Sequence, residues 1–228
     1  MEGLDSIIVE LLDRIGVGIN TQRFFFPFFS DDNDRIVFDF SWQGEILDKE
    51  IFGLNTHKLT CSKGVWLVGA TKNVGDVFLF FSAAEALAFF HIHQHKYDFF
   101  NRCAFVAFGV SLCREQIEFV KIVYKKARIH TVFGNDLIGR IYDCKVSLWL
   151  SRKDCTFFLN KNQVVAQVIN PKTGCFKKAE IEQSKFSFFA FYRSHGGRMH
   201  LKTHKTNPKF NSFLDYLVTK RLYKNLFV

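Results

Sequence analysis

Only three prolines and 14 glycines interrupt the 228 residues, which excludes a collagen-like repeat and a Pro/Gly-rich low-complexity chain. The six cysteines (Cys61, Cys103, Cys113, Cys144, Cys155 and Cys175) include no C-x-x-C pair. That scatter excludes a disulfide scaffold and leaves structural zinc without its usual ligand spacing. The thiols read as reduced, small core residues of a cytoplasmic protein. Long hydrophobic runs are missing too. The longest, residues 77–90, has 14 positions and contains Glu85, short of the ~20 apolar residues of a spanning helix. No membrane association is expected. Residues 1–16 (MEGLDSIIVELLDRIG) lack the basic lead of a secretory signal. There is no G-x-x-x-x-G-K-[ST] loop and no G-x-S-x-G elbow, and the cysteines and histidines carry no local protease signature.

What is abundant is phenylalanine, at 29 residues, within an apolar fraction of 48%. Such a chain has a sizeable core to bury and is no disordered tail. Its length allows one large domain or two small ones. The net charge of +9 is unevenly placed: residues 1–150 hold 16 Lys and Arg against 18 Asp and Glu, whereas residues 151–228 hold 15 against 4. The basic excess thus lies in the last third, the electrostatic footprint of a surface that meets a polyanion, most often nucleic acid. A solvated Lys-rich surface is the plainer alternative.

Residues 5–15 (DSIIVELLDRI) space their apolar side chains as an amphipathic helix capped by Asp5 or Ser6. Residues 24–29 (FFFPFF), broken by Pro27, read as an edge strand. Residues 35–42 alternate as a strand closed by Gln43-Gly44, and 45–76 read as short strands and loops. From residue 77 the pattern changes. Three apolar runs, 77–81, 104–108 and 128–133, alternate with helices after Ser82, over about 111–126 and over 138–150. Strand and helix in this order argue for a parallel sheet with crossover helices. Beyond it, 163–169 is a strand, 186–192 (FSFFAFY) and 199–202 flank Ser194-His195-Gly196-Gly197 as a hairpin, and 210–226 is a final helix.

Three segments in order, 77–89 (VFLFFSAAEALAF), 104–120 (AFVAFGVSLCREQIEFV) and 129–150 (IHTVFGNDLIGRIYDCKVSLWL), resemble the Toprim domain of bacterial primases and of primase-like proteins on mobile elements. Gly109, Ser111, Leu112 and Gln116 stand where the second segment's pattern places them. Residues 35–46 and 57–59 resemble the region preceding that domain, and 207–217 resembles a segment near the end of some such proteins. The resemblance covers residues 35–150. It implies an α/β, Toprim-like (Rossmann-like) fold: a mostly parallel sheet flanked by helices, with additional N-terminal strands and a basic C-terminal α+β region. The division expected is 1–60 for the N-terminal helix and strands preceding the core, 61–152 for the Toprim-like α/β core, and 153–228 for the basic region packed on or completing that core.

The resemblance also locates departures. The family's catalytic glutamate falls on Phe81, and the first aspartate of its Asp-x-Asp falls on Gly134, leaving Asp136. Phenylalanine cannot transfer a proton, and a Mg²⁺ site needs hard oxygen ligands. Phe81, Glu85, Gly134 and Asp136 are therefore vestigial positions, with Asp136 the remaining candidate metal ligand and no cofactor expected. As an acid on a largely apolar helix, Glu85 needs a partner. His91, His93 and His95 would share one face on a strand, as a metal cluster does, but at a helix C-terminus they suit the dipole.

Arg193, Arg198, Lys202, Lys205 and Lys209 are the candidate nucleic-acid contacts, with His195, His200 and His204 among them. Phe186, Phe188, Phe189, Phe191 and Tyr192 offer either a stacking face for single strands or a hydrophobic hairpin. Gly196-Gly197 would let the backbone approach a phosphate. The leading expectation is a non-catalytic, cytoplasmic protein that binds nucleic acid, DNA in preference to RNA, or a replication or mobilisation protein. One rival is an active enzyme with a rearranged site of Glu85, Asp136 and Asp143 around Mg²⁺ or Mn²⁺. The other is an interaction module whose basic face meets an acidic protein.

Overall fold

A computed structural model describes residues 9–32, 34–70, 72–169, 176–196 and 201–225. The chain opens with helices α1 (Glu10–Arg14) and α2 (Ile19–Phe25). Asp5 and Ser6, the expected caps of the first helix, lie outside the described residues. Among the described residues, the buried Gln22 ties this end of the chain together, accepting the Val9 N–H at 2.9 Å and donating to the Val17 carbonyl at 2.8 Å. The edge strand expected over 24–29 is instead the end of α2 and one 3₁₀ turn, Phe26–Phe28, with Pro27 at its start. Proline has no N–H to lose there and its φ already suits the turn. Phe24 then stacks on Phe90 at 4.8 Å, which a strand could not arrange together with the full burial of Phe25.

Strands β1 (Ser30–Asp32), β2 (Arg35–Trp42), β3 (Glu45–Gly53) and β4 (Thr56–Lys58) form an antiparallel meander. β2 and β3 are joined through Gln43 and Gly44 at φ 53° and 90°, the left-handed pair that a two-residue hairpin requires.

The core follows as β5 (Trp66–Gly69), β6 (Asp76–Phe80), α3 (Ala83–His93), α4 (Phe99–Arg102), β7 (Cys103–Ala107), α5 (Arg114–Val123), β8 (Arg128–Thr131) and α6 (Leu137–Leu150). Every residue of β6 and β7 is buried. Phe78 and Phe80 face one hydrophobic cluster while Val77 and Leu79 face another, so both sheet faces are covered, as continuous apolar runs require. Ser82 caps α3 by accepting the Glu85 N–H at 3.2 Å.

The last third adds β9 (Asp154–Asn160), β10 (Gln163–Ile169), β11 (Phe176–Glu182), α7 (Phe188–His195), β12 (Leu201–Thr203) and α8 (Phe213–Asn225). β9, β10 and β11 make a separate antiparallel sheet over a third cluster that includes Cys144 and Leu148 of α6. The five-stranded sheet runs β12-β8-β6-β7-β5. Its first three pairings are parallel and its last is antiparallel. The mostly parallel sheet expected from sequence is thus confined to this central unit, and antiparallel pairing predominates in the chain.

The hairpin expected over 186–202 is also replaced. Residues 188–195 form helix α7, capped by Ser187, which accepts the Ala190 N–H at 3.1 Å. Phe188, Phe191, Tyr192 and His195 are buried at helical spacing. The other half of the expected hairpin includes Met199 and His200, which lie outside the described residues. β12 pairs in parallel with β8.

Candidate functional site at the carboxyl ends of the parallel strands

Open α/β sheets bind ligands beyond the carboxyl ends of adjacent parallel strands. Here those ends are β6 and β8, and the residues that follow them meet. The rings of Phe81 and Phe133 stack with centroids 4.3 Å apart, and Tyr142 of α6 sets its edge on Phe81 at 5.2 Å. Gly134 follows directly. A Cβ on it would come within 3.1 Å of the Asn211 carbonyl, so glycine suits this close crossing of two backbones. Asn135 fixes the crossing: its side chain donates to the Thr206 hydroxyl at 2.8 Å and the Phe210 carbonyl at 2.7 Å, and its N–H to the Asn211 carbonyl at 2.7 Å.

Each acid expected near this point is committed elsewhere. Asp136 caps α6, accepting the Gly139 N–H at 2.7 Å. Asp143 is fully buried, with the Thr131 hydroxyl donating to one oxygen at 2.6 Å and the Lys205 ammonium 2.8 Å from the other. Burial raises its carboxyl above the usual range, opposed by Lys205 and Thr131. Glu85 reaches α8, where its two oxygens accept the Leu214 N–H at 3.3 and 3.2 Å. Burial pushes Glu85 up to about 7, against the pull of Ser212, Leu214 and His57.

Among the described residues no three His, Cys, Asp or Glu side chains are grouped to hold a metal ion. This corrects the rearranged site of Glu85, Asp136 and Asp143 and the metal reading of His91, His93 and His95. The donor set does not fit the divalent cation that the Toprim resemblance implies: Phe81 and Gly134 contribute no side-chain oxygen, and Asp136 serves a helix cap. His91 accepts the Gly18 N–H at 3.2 Å, and His93 stacks on Phe89 at 4.4 Å.

Sequence reasoning missed Glu50. It stands on the inward face of β3 with Phe52, a placement that EILDKEIFG does not signal because its apolar residues fall in adjacent pairs rather than alternating. Its carboxylate lies at the N-terminus of α3, just past Phe81. One oxygen accepts from the Ser82 hydroxyl at 2.6 Å and the Ala84 N–H at 3.2 Å, the other from the Ala83 N–H at 2.8 Å, and His57 Nε2 is 2.9 Å away.

A second network, also unforeseen and buried at Asp76 and His130, joins β6, β8 and the residue after β12. Asp76 bonds His130 Nε2 at 2.7 Å and Arg128 at 2.8 Å, and His130 Nδ1 bonds His204 Nε2 at 2.8 Å. Burial, then His130 and Lys202, push His204 down to about 3.

The expected basic contacts divide. Lys205 turns inward, donating to the Phe133 and Gly134 carbonyls at 3.0 and 2.8 Å besides pairing with Asp143. Arg193, Lys202 and Lys209 are exposed. Arg198 lies outside the described residues. The expected stacking face is core instead: Phe186, Phe188, Phe191 and Tyr192 are buried, and of the five rings only Phe189 is largely exposed, at 61%. His195 is buried against Phe191.

The Glu85 carboxyl gives a pH-dependent signature. Its folded value lies above its unfolded one, so its stabilising protonation is complete below about 4.5 and is lost as pH rises through about 7. The depressed histidine His204 has the opposite sign: its contribution is present above about 6.5 and is lost on acidification towards about 3. Glu85→Gln keeps an acceptor for Leu214 and abolishes the first effect. Relative to wild type, the variant is expected to gain about 2 kcal/mol between pH 5 and 8, a figure discounted for partial solvent access. Urea unfolding at the two pH values measures this, and a pH-independent difference would refute it.

No family model matches the chain, and neither does a curated protein or a solved structure.

Proposed function

We propose that this chain is a non-catalytic protein with a Toprim-like core that binds nucleic acid, DNA in preference to RNA, through exposed bases of its last third. The observation that carries this reading is the charge division, a near-neutral first 150 residues followed by 15 basic against 4 acidic. Arg152, Lys153, Lys161, Arg193, Lys202 and Lys209 are exposed and form no ion pair among the described residues. Lysines and arginines so placed neutralise phosphates and release counterions, independently of sequence. The absence of a catalytic role is supported by the stacked Phe81 and Phe133 and by the structural duties of Glu85, Asp136 and Asp143.

A replication or mobilisation complex on a mobile element is the setting that the resemblance favours, in a cytoplasm where the thiols stay reduced. The five cysteines described are free, and no helix among the described residues is long and apolar enough to cross a membrane.

Fluorescence anisotropy with a labelled single strand and a duplex, titrated over salt, tests the reading. Affinity is expected to fall linearly in log–log form, with Arg193→Glu/Lys202→Glu weakening binding roughly tenfold and lowering the slope by about 1–2. No detectable binding at about 50 mM salt would rule the reading out.

A further inference from the structure

A cleft of about 500 Å³ opens between the carboxyl ends of α5 and α6, beside the start of β8. Lys121, Lys125 and Arg152 line it, and no acid does. Tyr124 and Ile129, both buried, and Leu150 supply apolar lining. Two of the three bases fall within the near-neutral first 150 residues, so the charge division of the sequence does not reveal them. Lys126 and Lys153, which adjoin lining residues in the chain, are exposed as well.

The acids closest in sequence to these bases are already engaged. Glu118, one turn before Lys121, pairs with Arg114 at 2.8 Å. Asp154 accepts the Trp149 indole N–H at 3.1 Å and the Cys155 N–H at 2.7 Å. Asp76, which reaches the start of β8, pairs with Arg128 at 2.8 Å. Lys125 and Arg152 form no ion pair among the described residues. A helix C-terminus attracts bases by itself, and Lys121 serves that end, donating to the Leu150 carbonyl at 2.6 Å. Arg152 is a different case. It closes α6 from the left-handed region, at φ 58°. Its N–H bonds the Trp149 carbonyl and the Lys153 N–H bonds the Leu148 carbonyl, both at 2.9 Å. That closure favours glycine. An arginine held there is strained, and strain of this kind is kept where a side chain serves a site.

We infer that this cleft seats the phosphodiester backbone of a nucleic acid, with Arg152 and Lys125 on phosphate oxygens and Lys121 steadied beside them by Leu150. The inference rests on the nucleic-acid reading and extends its interface from the last third onto α5. A guanidinium matches two oxygens of one phosphate at once, and an ammonium adds a point charge. Five exposed bases on two segments that meet at one cleft suit a ligand with a charge in every repeat. Lys153, already among the proposed contacts, makes the cleft continuous with them.

The test uses the full chain, labelled thymidine and adenine strands of twelve nucleotides, and anisotropy at about 50 mM salt. Arg152→Gly is the central variant, because it removes the guanidinium and relaxes the left-handed backbone. Its melting temperature is expected near or above that of wild type. Its affinity should fall about fivefold, equally for both strands, with a log–log salt slope smaller by about 0.7. Lys125→Ala should behave alike, and the two together should cost more than about tenfold. Lys58→Ala, an exposed base of β4, should bind within about twofold of wild type, as a charge control away from the contact. If wild type binds and both cleft variants match Lys58→Ala, the cleft is not the seat, although the nucleic-acid reading stands. If wild type binds neither strand, both fall. A binding loss seen only together with a lowered melting temperature would overturn the inference. So would polyglutamate displacing the strands as well as unlabelled thymidine strand does, since the cleft would then take an acidic protein.

Discussion

Asp143→Ala is expected to destabilise the protein by about 3 kcal/mol, the low end of the usual cost of stranding one partner of a buried ion pair, because the Lys205 left behind is 26% exposed. The Lys205 ammonium would keep the Phe133 and Gly134 carbonyls but lose the carboxylate it pairs with, and the Thr131 hydroxyl would lose its acceptor. Such a loss is a large part of the 5–15 kcal/mol typical of a whole domain. The double variant Asp143→Ala/Lys205→Met separates pairing from packing. With both charges gone no buried ion is left alone, and most of the stability should return. Urea midpoints of wild type, the two single variants and the double variant complete the cycle. If the double variant is as unstable as Asp143→Ala, the pair is not what holds this region.

Glu50→Ala should cost about 3 kcal/mol or more, seen as a fall in melting temperature of roughly 6–12 °C. Three donors at the start of α3, the Ser82 hydroxyl and the Ala83 and Ala84 N–H groups, would lose their acceptor in a buried place. The favourable placement of a carboxylate at a helix N-terminus would also go. Glu50→Gln retains one carbonyl oxygen, yet its amide group would face N–H donors, so an intermediate loss is expected. Equal melting temperatures for Glu50→Ala and wild type would show that water replaces the carboxylate there.

The central α/β unit was legible because its physics is local. Strands covered on both faces read as unbroken apolar runs, and Ser82 announces the helix that follows. Helix α7 was misread because FSFFAFY satisfies a period of two about as well as one of 3.6. The decisive repeat, Phe188, Phe191, Tyr192 and His195, appears only when the window extends past the apolar run. β9 and β11 escaped notice because their outward residues are mostly polar or charged, and the third cluster takes few of their side chains. The site was legible as a set of absences, Phe81 and Gly134. What replaced the missing acids was not, since Lys205 finds Asp143 across 62 positions and Glu50 finds Ser82 across 32. Charge counts say how many lysines exist, whereas packing decides which of them reaches water.

The way the last third is fastened has a consequence for association. β12 joins the edge of the central sheet, Lys205 enters its carboxyl end, His204 bonds His130, and Glu85 grips the start of α8. These anchors run through the segment that carries Lys202 and Lys209, so those bases sit on an already folded framework rather than on a tail. The conformational entropy of ordering that segment is lost when the chain folds and is not lost again on meeting a partner. Binding there should therefore lack the large heat-capacity signature of coupled folding, and its strength should depend on the spacing of fixed charges.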